Sequence, residues 1–309
     1  MVAIAAVISV VLLTLTAWGH RRTAAGQTGA DPVISRPVGS SASVASTSPS
    51  LSQPVSSSTP PPARTATAPP GKPRVTARQL TTNLARVFGP GDSFSVAGYD
   101  LSTGRGIAAG AISGMTEASL VKLDILETAL YRQQGGGYLD DDDVQAMIEH
   151  SDNAAADRVF VNSGGNGGLQ RYNDTVGLSR TVLDPTGTWG LSTTAATDQL
   201  VLLKQLVSSR SPLNAASRAY ALQLMDAVED DQNWGISAAA DNGTESQLKN
   251  GWLNIDRDNG LWAVNSAGVA VSGGHKLLLV VLSQHQPDYR TGVSRVEAAA
   301  RQLAAALRT

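Results

Sequence analysis

Strand-like runs stand at both ends of one globular stretch, with a helical middle between them, and that distribution restricts the fold more than any other feature. Near the start, "FSVAGYDL" and "GIAAG" are joined by the turn "STGRG" and preceded by a helix over Thr76–Phe88. Late in the chain come "SQLKNGWLN", "LWAVNSAGVAV" and "HKLLLVVLSQ", then an amphipathic helix, "VSRVEAAARQLAAALR". Between them, roughly from Asp141 to Ala227, the pattern is helical. Strands from both ends can share one antiparallel sheet only if the helical part forms a lobe of its own. The expected class is therefore α/β (α+β), with helices against an antiparallel sheet and a mostly helical lobe beside it. No internal repeat is visible.

That globular domain spans 75–309. From 23 to 74 the chain is rich in Ser, Thr, Pro and Ala, without apolar periodicity. It cannot bury enough surface to offset its ordering entropy and reads as a disordered linker. Residues 1–22 hold "VAIAAVISVVLLTLTAW", an uncharged apolar run of 17 residues. A membrane span needs ~20 residues, and a secretory signal's apolar region runs ~7–15, so a signal anchor and a signal peptide both stay open. The nearby basic cluster, His20-Arg21-Arg22, lies after the run, which by the positive-inside rule would hold the rest of the chain in the cytoplasm unless basic residues precede the start. The body of the protein is nevertheless expected outside the membrane of a bacterium, anchored or secreted. A monomer is expected.

A formal net charge of −2 over 309 residues gives no reason to expect nucleic acid as a partner. Cysteine is absent, which excludes disulfides, thiolate metal sites and a cysteine nucleophile. The four histidines are scattered without metal-ligand spacing, so no metal or other cofactor is expected. No G-x-S-x-G elbow occurs.

Chemistry concentrates in three places. The run "TEASLVKLDILETALY" is a helix apolar on almost every side, yet it carries Lys122 three residues after Ser119. Residues i and i+3 share a helix face. Burial lowers a lysine pKa, and a neutral lysine can take a proton from a serine hydroxyl. The plain alternative is a chance Ser-x-x-Lys with a lysine that snorkels to solvent. Next, Ser151-Asp152-Asn153 lies between two helical runs, where it reads either as a helix cap or as a proton relay beside a group that holds a substrate amide. Third, Lys249-Asn250-Gly251 lies in a strand, and a strand glycine often marks close approach by another group. Lys249 would meet a substrate carboxylate, and the Trp252 N–H could join that of Ser119 in an oxyanion hole.

Taken in this order, the three motifs resemble those of the class A β-lactamase and penicillin-binding family of serine acyl-transferases. The resemblance implies a five-stranded antiparallel sheet flanked by helices, with Ser119 as nucleophile, Lys122 as base and Ser151 as proton shuttle. Asn153, Lys249, Asn250, Gly251 and Trp252 would bind substrate, a β-lactam or a peptidoglycan-like peptide. The chain departs from the family in two respects. The stretch "SRTVLDPTGTWGLSTTAATDQL" holds no deacylating glutamate, only Asp184 before Pro185 in its first part, and Asn250 stands where a Thr or Ser is usual. The expectation is slow β-lactam turnover. The alternatives are a β-lactamase with an atypical deacylation base, Asp184 or Lys122, and a non-catalytic cell-wall binding module on the same fold. "LDDDDV" reads as an acidic helix start, Trp189 and Trp234 as core, and Trp252 as core or cleft.

Overall fold

A computed structural model of the chain describes residues 74–309. The expected N-terminal membrane segment and all but the last residue of the linker lie outside them.

The domain is built on one five-stranded antiparallel sheet in the order β2-β1-β7-β6-β5. Its strands are β1 (Ser93–Asp100), β2 (Gly106–Gly110), β5 (Gln247–Ile255), β6 (Leu261–Ser272) and β7 (His275–Gln286). A minor ladder joins β3 (Met115–Thr116) to β4 (Thr193–Thr194). Early and late strands thus interleave as the sequence pattern requires, with β1 paired along its length to β7. The unbroken apolar run "LLLVVL", whose successive side chains point to opposite faces, explains why the centre of the sheet is buried on both. Leu277, Leu279 and Val281 face one way, while Leu278, Val280 and Leu282 face the other.

On the first face lie α1 (Ala77–Phe88) and the terminal α8 (Tyr289–Leu307), packed through Leu80, Leu84, Val296 and Leu303. A capping box fixes the start of α1: Thr76 Oγ1 accepts from Gln79 N while the Gln79 side chain accepts from Thr76 N. α8 begins four residues before the expected helix, because Asp288 caps it. The second face carries α2 (Lys122–Gln134) and α6 (Ala196–Val207), and beyond them α3 (Asp141–Glu149), α4 (Asn153–Asn162), α5 (Gly165–Val176) and α7 (Ala215–Asp226) complete the helical lobe. The acidic run starts a helix as expected: Asp140 caps α3, and Asp143 pairs with Arg158 at 2.5 Å.

α2 is the lobe's central helix, buried on every side from Lys122 to Leu130. That span includes Asp124 and Glu127, two carboxyls without a cationic partner among the described residues. Tyr172 donates to Glu127 at 2.7 Å and Asn173 to Asp124 at 2.9 Å. Burial drives the Asp124 carboxyl up to about 7 and that of Glu127 well above the usual range.

Candidate active site

Ser119 lies in a 3-10 turn, Ala118–Val121, that feeds directly into α2. The turn is bolted to the sheet just upstream. Asn265 on β6 donates its amide to the carbonyls of Thr116 and Glu117 at 2.9 and 3.0 Å, and Thr116 N donates to the Gln284 side chain at 3.1 Å. Ala118 takes a left-handed φ of 52°, and Ser151 one of 54°. Such conformations cost a non-glycine residue ~1–3 kcal/mol and persist where surrounding bonds impose them. Ala118 borders a cleft about 710 Å³ in volume, with Ser119, Asn153, Asp157, Trp189, Trp252 and Arg257 among its other lining residues.

Two buried lysines meet at Ser151. Lys122 Nζ donates to Ser151 O at 2.6 Å, to Ser151 Oγ at 3.1 Å and to Asn153 Oδ1 at 2.7 Å. Lys249 Nζ donates to Ser151 Oγ at 2.9 Å and to Asn250 O at 2.9 Å. Both side chains are fully buried. Burial pushes the Lys122 amine down to about 8, against an upward pull from the carboxylates of Asp152 and Asp157. Burial, and then the charge of Lys122, push Lys249 well below the ordinary lysine range. The structure thus brings together residues from α2, the α3–α4 connection and β5. One expected contact differs: no hydrogen bond joins Lys122 to Ser119, because all three Nζ positions are spent on Ser151 and Asn153. Lys122 therefore reaches the cleft through Ser151. With its amine neutral, two N–H groups can serve Ser151 O and Asn153 while the lone pair accepts the Ser151 proton.

β5 is the sheet's edge strand and faces the Ser119 turn. Gly251 sits against that turn, and a methyl group there would lie 2.4 Å from Leu120 N and 3.0 Å from Ser119 N. Strand alternation sorts its neighbours. Lys249 points to Ser151. The Asn250 and Trp252 side chains point to the opposite face, which corrects the expected substrate contact of the Asn250 side chain. Asn250 Nδ2 donates to the carbonyls of Gln232 (2.7 Å) and Trp234 (3.2 Å), bracing the strand from behind. The Trp252 ring packs on Trp234 and Tyr289, with centroids 5.9 and 5.6 Å away. Its backbone still borders the cleft. Asn250 O faces Lys249 across the free edge, and backbone groups two residues apart point the same way, so the Trp252 N–H is directed at the Ser119 turn.

Trp234 is core as expected, but Trp189 is not. Its half-buried ring lies over Lys122, 5.1 Å from Nζ, and its indole N–H donates to Asp157 at 2.8 Å. Asp157 is the site residue the motif reading missed. It stands four residues after Asn153 on α4, and that spacing, visible in "SDNAAAD", places both on one face. Asp184 leads a turn of its own. Its carboxylate accepts from the Thr186 amide at 3.0 Å and from the Thr186 hydroxyl, and that hydroxyl bond holds it below the usual carboxylate range. It is an aspartate-led turn.

Comparison with known proteins decides the family: a model described as the β-lactamase enzyme family matches residues 138–307, more than half of the chain. The chain belongs to the β-lactamase enzyme family. The fold agrees. PBP-A superposes with a TM-score of 0.65 at 18% identity, over 76% of this chain and 98% of its own. A variant of the class A β-lactamase of the last common ancestor of Gram-negative bacteria gives 0.64 at 20% identity, over 74% and 99%. A class A β-lactamase representative from Bacteroides cellulosilyticus gives 0.64 at 12% identity, over 76% and 99%. No curated protein sequence matches the chain. The domain is a β-lactamase/transpeptidase fold of the serine-hydrolase type, and the three motifs occupy one cleft of it.

Proposed function

We propose that the protein is an extracytoplasmic serine acyl-transferase, held at the membrane by its N-terminal run or released from it. Ser119 would be acylated by β-lactams or by peptidoglycan-like peptides, and the ester would be hydrolysed slowly. The observation that carries this reading is the chain Lys122–Ser151–Lys249, with Ser151 Oγ within 3.1 Å of both amines. Ser119 Oγ attacks the substrate carbonyl as its proton passes to the Lys122 amine. The backbone N–H groups of Ser119 and Trp252 receive the developing oxyanion. Ser151 then delivers a proton to the departing nitrogen. Asn153, fixed by Lys122, orients the substrate's side-chain amide. Lys249 takes the substrate carboxylate, whose negative charge raises the amine's proton affinity and restores its positive charge.

Slow release follows from the carboxylates present. No glutamate occurs in the 179–200 stretch, and Asp184 is committed to its own turn. A mutant of PBP-A forms an acyl-enzyme complex with penicillin G, which supports the same chemistry for this chain. The test is incubation of the full chain with a fluorescent penicillin. Wild type should retain a covalent label that Ser119→Ala lacks. An unlabelled wild type would leave the fold without the activity, and rapid turnover would overthrow the slow-release part.

A further inference from the structure

We propose that Trp189 and Asp157 form a latch that shuts water away from Lys122 and from the ester on Ser119, so that this pair sets the lifetime of the acyl-enzyme. The inference deepens the acyl-transfer reading and rests on it. Lys122 Nζ is tetrahedral, and its three positions beyond Cε are taken by Ser151 O, Ser151 Oγ and Asn153 Oδ1 within 3.1 Å. The Trp189 ring covers it from the cleft side. The ring is held by a single polar contact, its indole N–H on Asp157 Oδ1 at 2.8 Å. At its root the loop carrying Trp189 is firmly closed: Val182 pairs with Thr193, β4 with β3, and Asn166 donates to Asp184 O at 2.7 Å. Nearer its tip, the Trp189–Asp157 bond ties the loop to α4.

Hydrolysis of the ester needs a water that touches both the acyl carbonyl carbon and a base. The water oxygen bonds to that carbon, one of its protons goes to Ser151 Oγ as the Ser151 proton passes to the lone pair of the neutral Lys122 amine, and the carbon–Oγ bond breaks as Ser119 Oγ takes a proton back by the same relay. Products are the free acid and the regenerated serine. The charged and titratable neighbours of Lys122 are Lys249 on β5, Asp152 at the α4 cap and Asp157 on α4. The first two carry no water into the cleft, since Lys249 is buried against Ser151 and Asp152 caps α4. With the indole in place, water is kept from the approach to Lys122. Release of the indole opens the approach to the Ser151–Lys122 pair, and Lys122, acting through Ser151, then serves as the base for hydrolysis.

The test uses the full chain, acylated by a fluorescent penicillin and freed of excess reagent, with loss of label followed over time. Lifetimes measured this way are independent of how fast each variant is acylated. Asp157→Ala removes the acceptor and Trp189→Phe removes the donor while keeping a ring; both should shed label at least tenfold faster than wild type. Asp157→Asn retains an oxygen that accepts from the indole and should stay near the wild-type lifetime. Lifetimes of Asp157→Ala and Trp189→Phe within twofold of wild type overturn the latch. Longer lifetimes in both Asp157 variants also overturn it, because they make Asp157 the base. A wild type that never labels at Ser119 sinks the acyl-transfer reading itself, and the latch with it.

Discussion

Replacing Gly251 by alanine should slow acylation of Ser119 without touching a reacting side chain. The added methyl would lie 2.4 Å from Leu120 N, 2.7 Å from Glu117 O and 3.0 Å from Ser119 N, all backbone atoms that no rotamer change can move. Ordinary contact begins at 3.4 Å, so β5 and the nucleophile turn must separate by about 1 Å. That displacement falls across the line between the Ser119 and Trp252 amides. A misplacement of ~1 Å costs on the order of 100-fold in rate, comparable with loss of one oxyanion donor at ~100- to 1,000-fold. Overpacking costs ~1–3 kcal/mol of stability, which for a domain of this size lowers Tm by roughly 2–12 °C. The assay is the second-order rate of labelling by fluorescent penicillin, with a thermal melt on the same samples. A variant that labels within threefold of wild type at an unchanged Tm would show that β5 does not constrain the nucleophile, and the oxyanion geometry would have to be abandoned.

Two further outcomes come from the buried charges. The labelling rate at limiting penicillin should climb as pH passes through about 8, where Lys122 loses its proton, and fall tenfold per pH unit below it; a flat profile from pH 6 to 9.5 would remove Lys122 as the base. Asp124 acts on stability in the opposite direction. Its carboxyl is raised from 3.8 to about 7, so the unfolded chain gives up that proton first, and stability present below 3.8 is lost as pH rises through about 7. The interval corresponds to ~4 kcal/mol at most. Asp124→Asn, which keeps an acceptor for Asn173, should raise the Tm at pH 8 and flatten its decline between pH 4 and 8. An unchanged pH dependence of Tm would refute this.

The sequence made some parts of this molecule readable and hid others for physical reasons. Periodicity exposed the long elements, because "LLLVVL" and the alanine-rich last helix each have a single way to bury their apolar atoms. The meeting of Lys122, Ser151 and Lys249 was legible because the proposed acid–base chain needs those groups, and a lysine inside an apolar helix has few other uses. Gly251 could be read as a close approach because a missing Cβ leaves room for backbone. The orientations of Asn250 and Trp252 follow from strand alternation once Lys249 is placed beside Ser151, a step the motif alone does not force. Trp189 was hidden because an indole's apolar bulk suits core and cleft equally, and what decides is one N–H bond to a residue 32 positions earlier. Asn265 was missed altogether. A buried amide in a strand advertises nothing until its two carbonyl partners, Thr116 and Glu117, are brought beside it.

The interleaved sheet gives this protein a particular order of assembly. Asn265 clamps the Thr116 carbonyl from 149 residues away, and Lys249 finds Ser151 across 98. Contacts so distant along the chain form late and slowly. On the proposed chemistry, Ser119 is therefore synthesised long before anything can activate it. Any fragment that stops short of β5 carries a serine as inert as one on a surface loop, and the hydroxyl gains its reactivity only when the last strands insert.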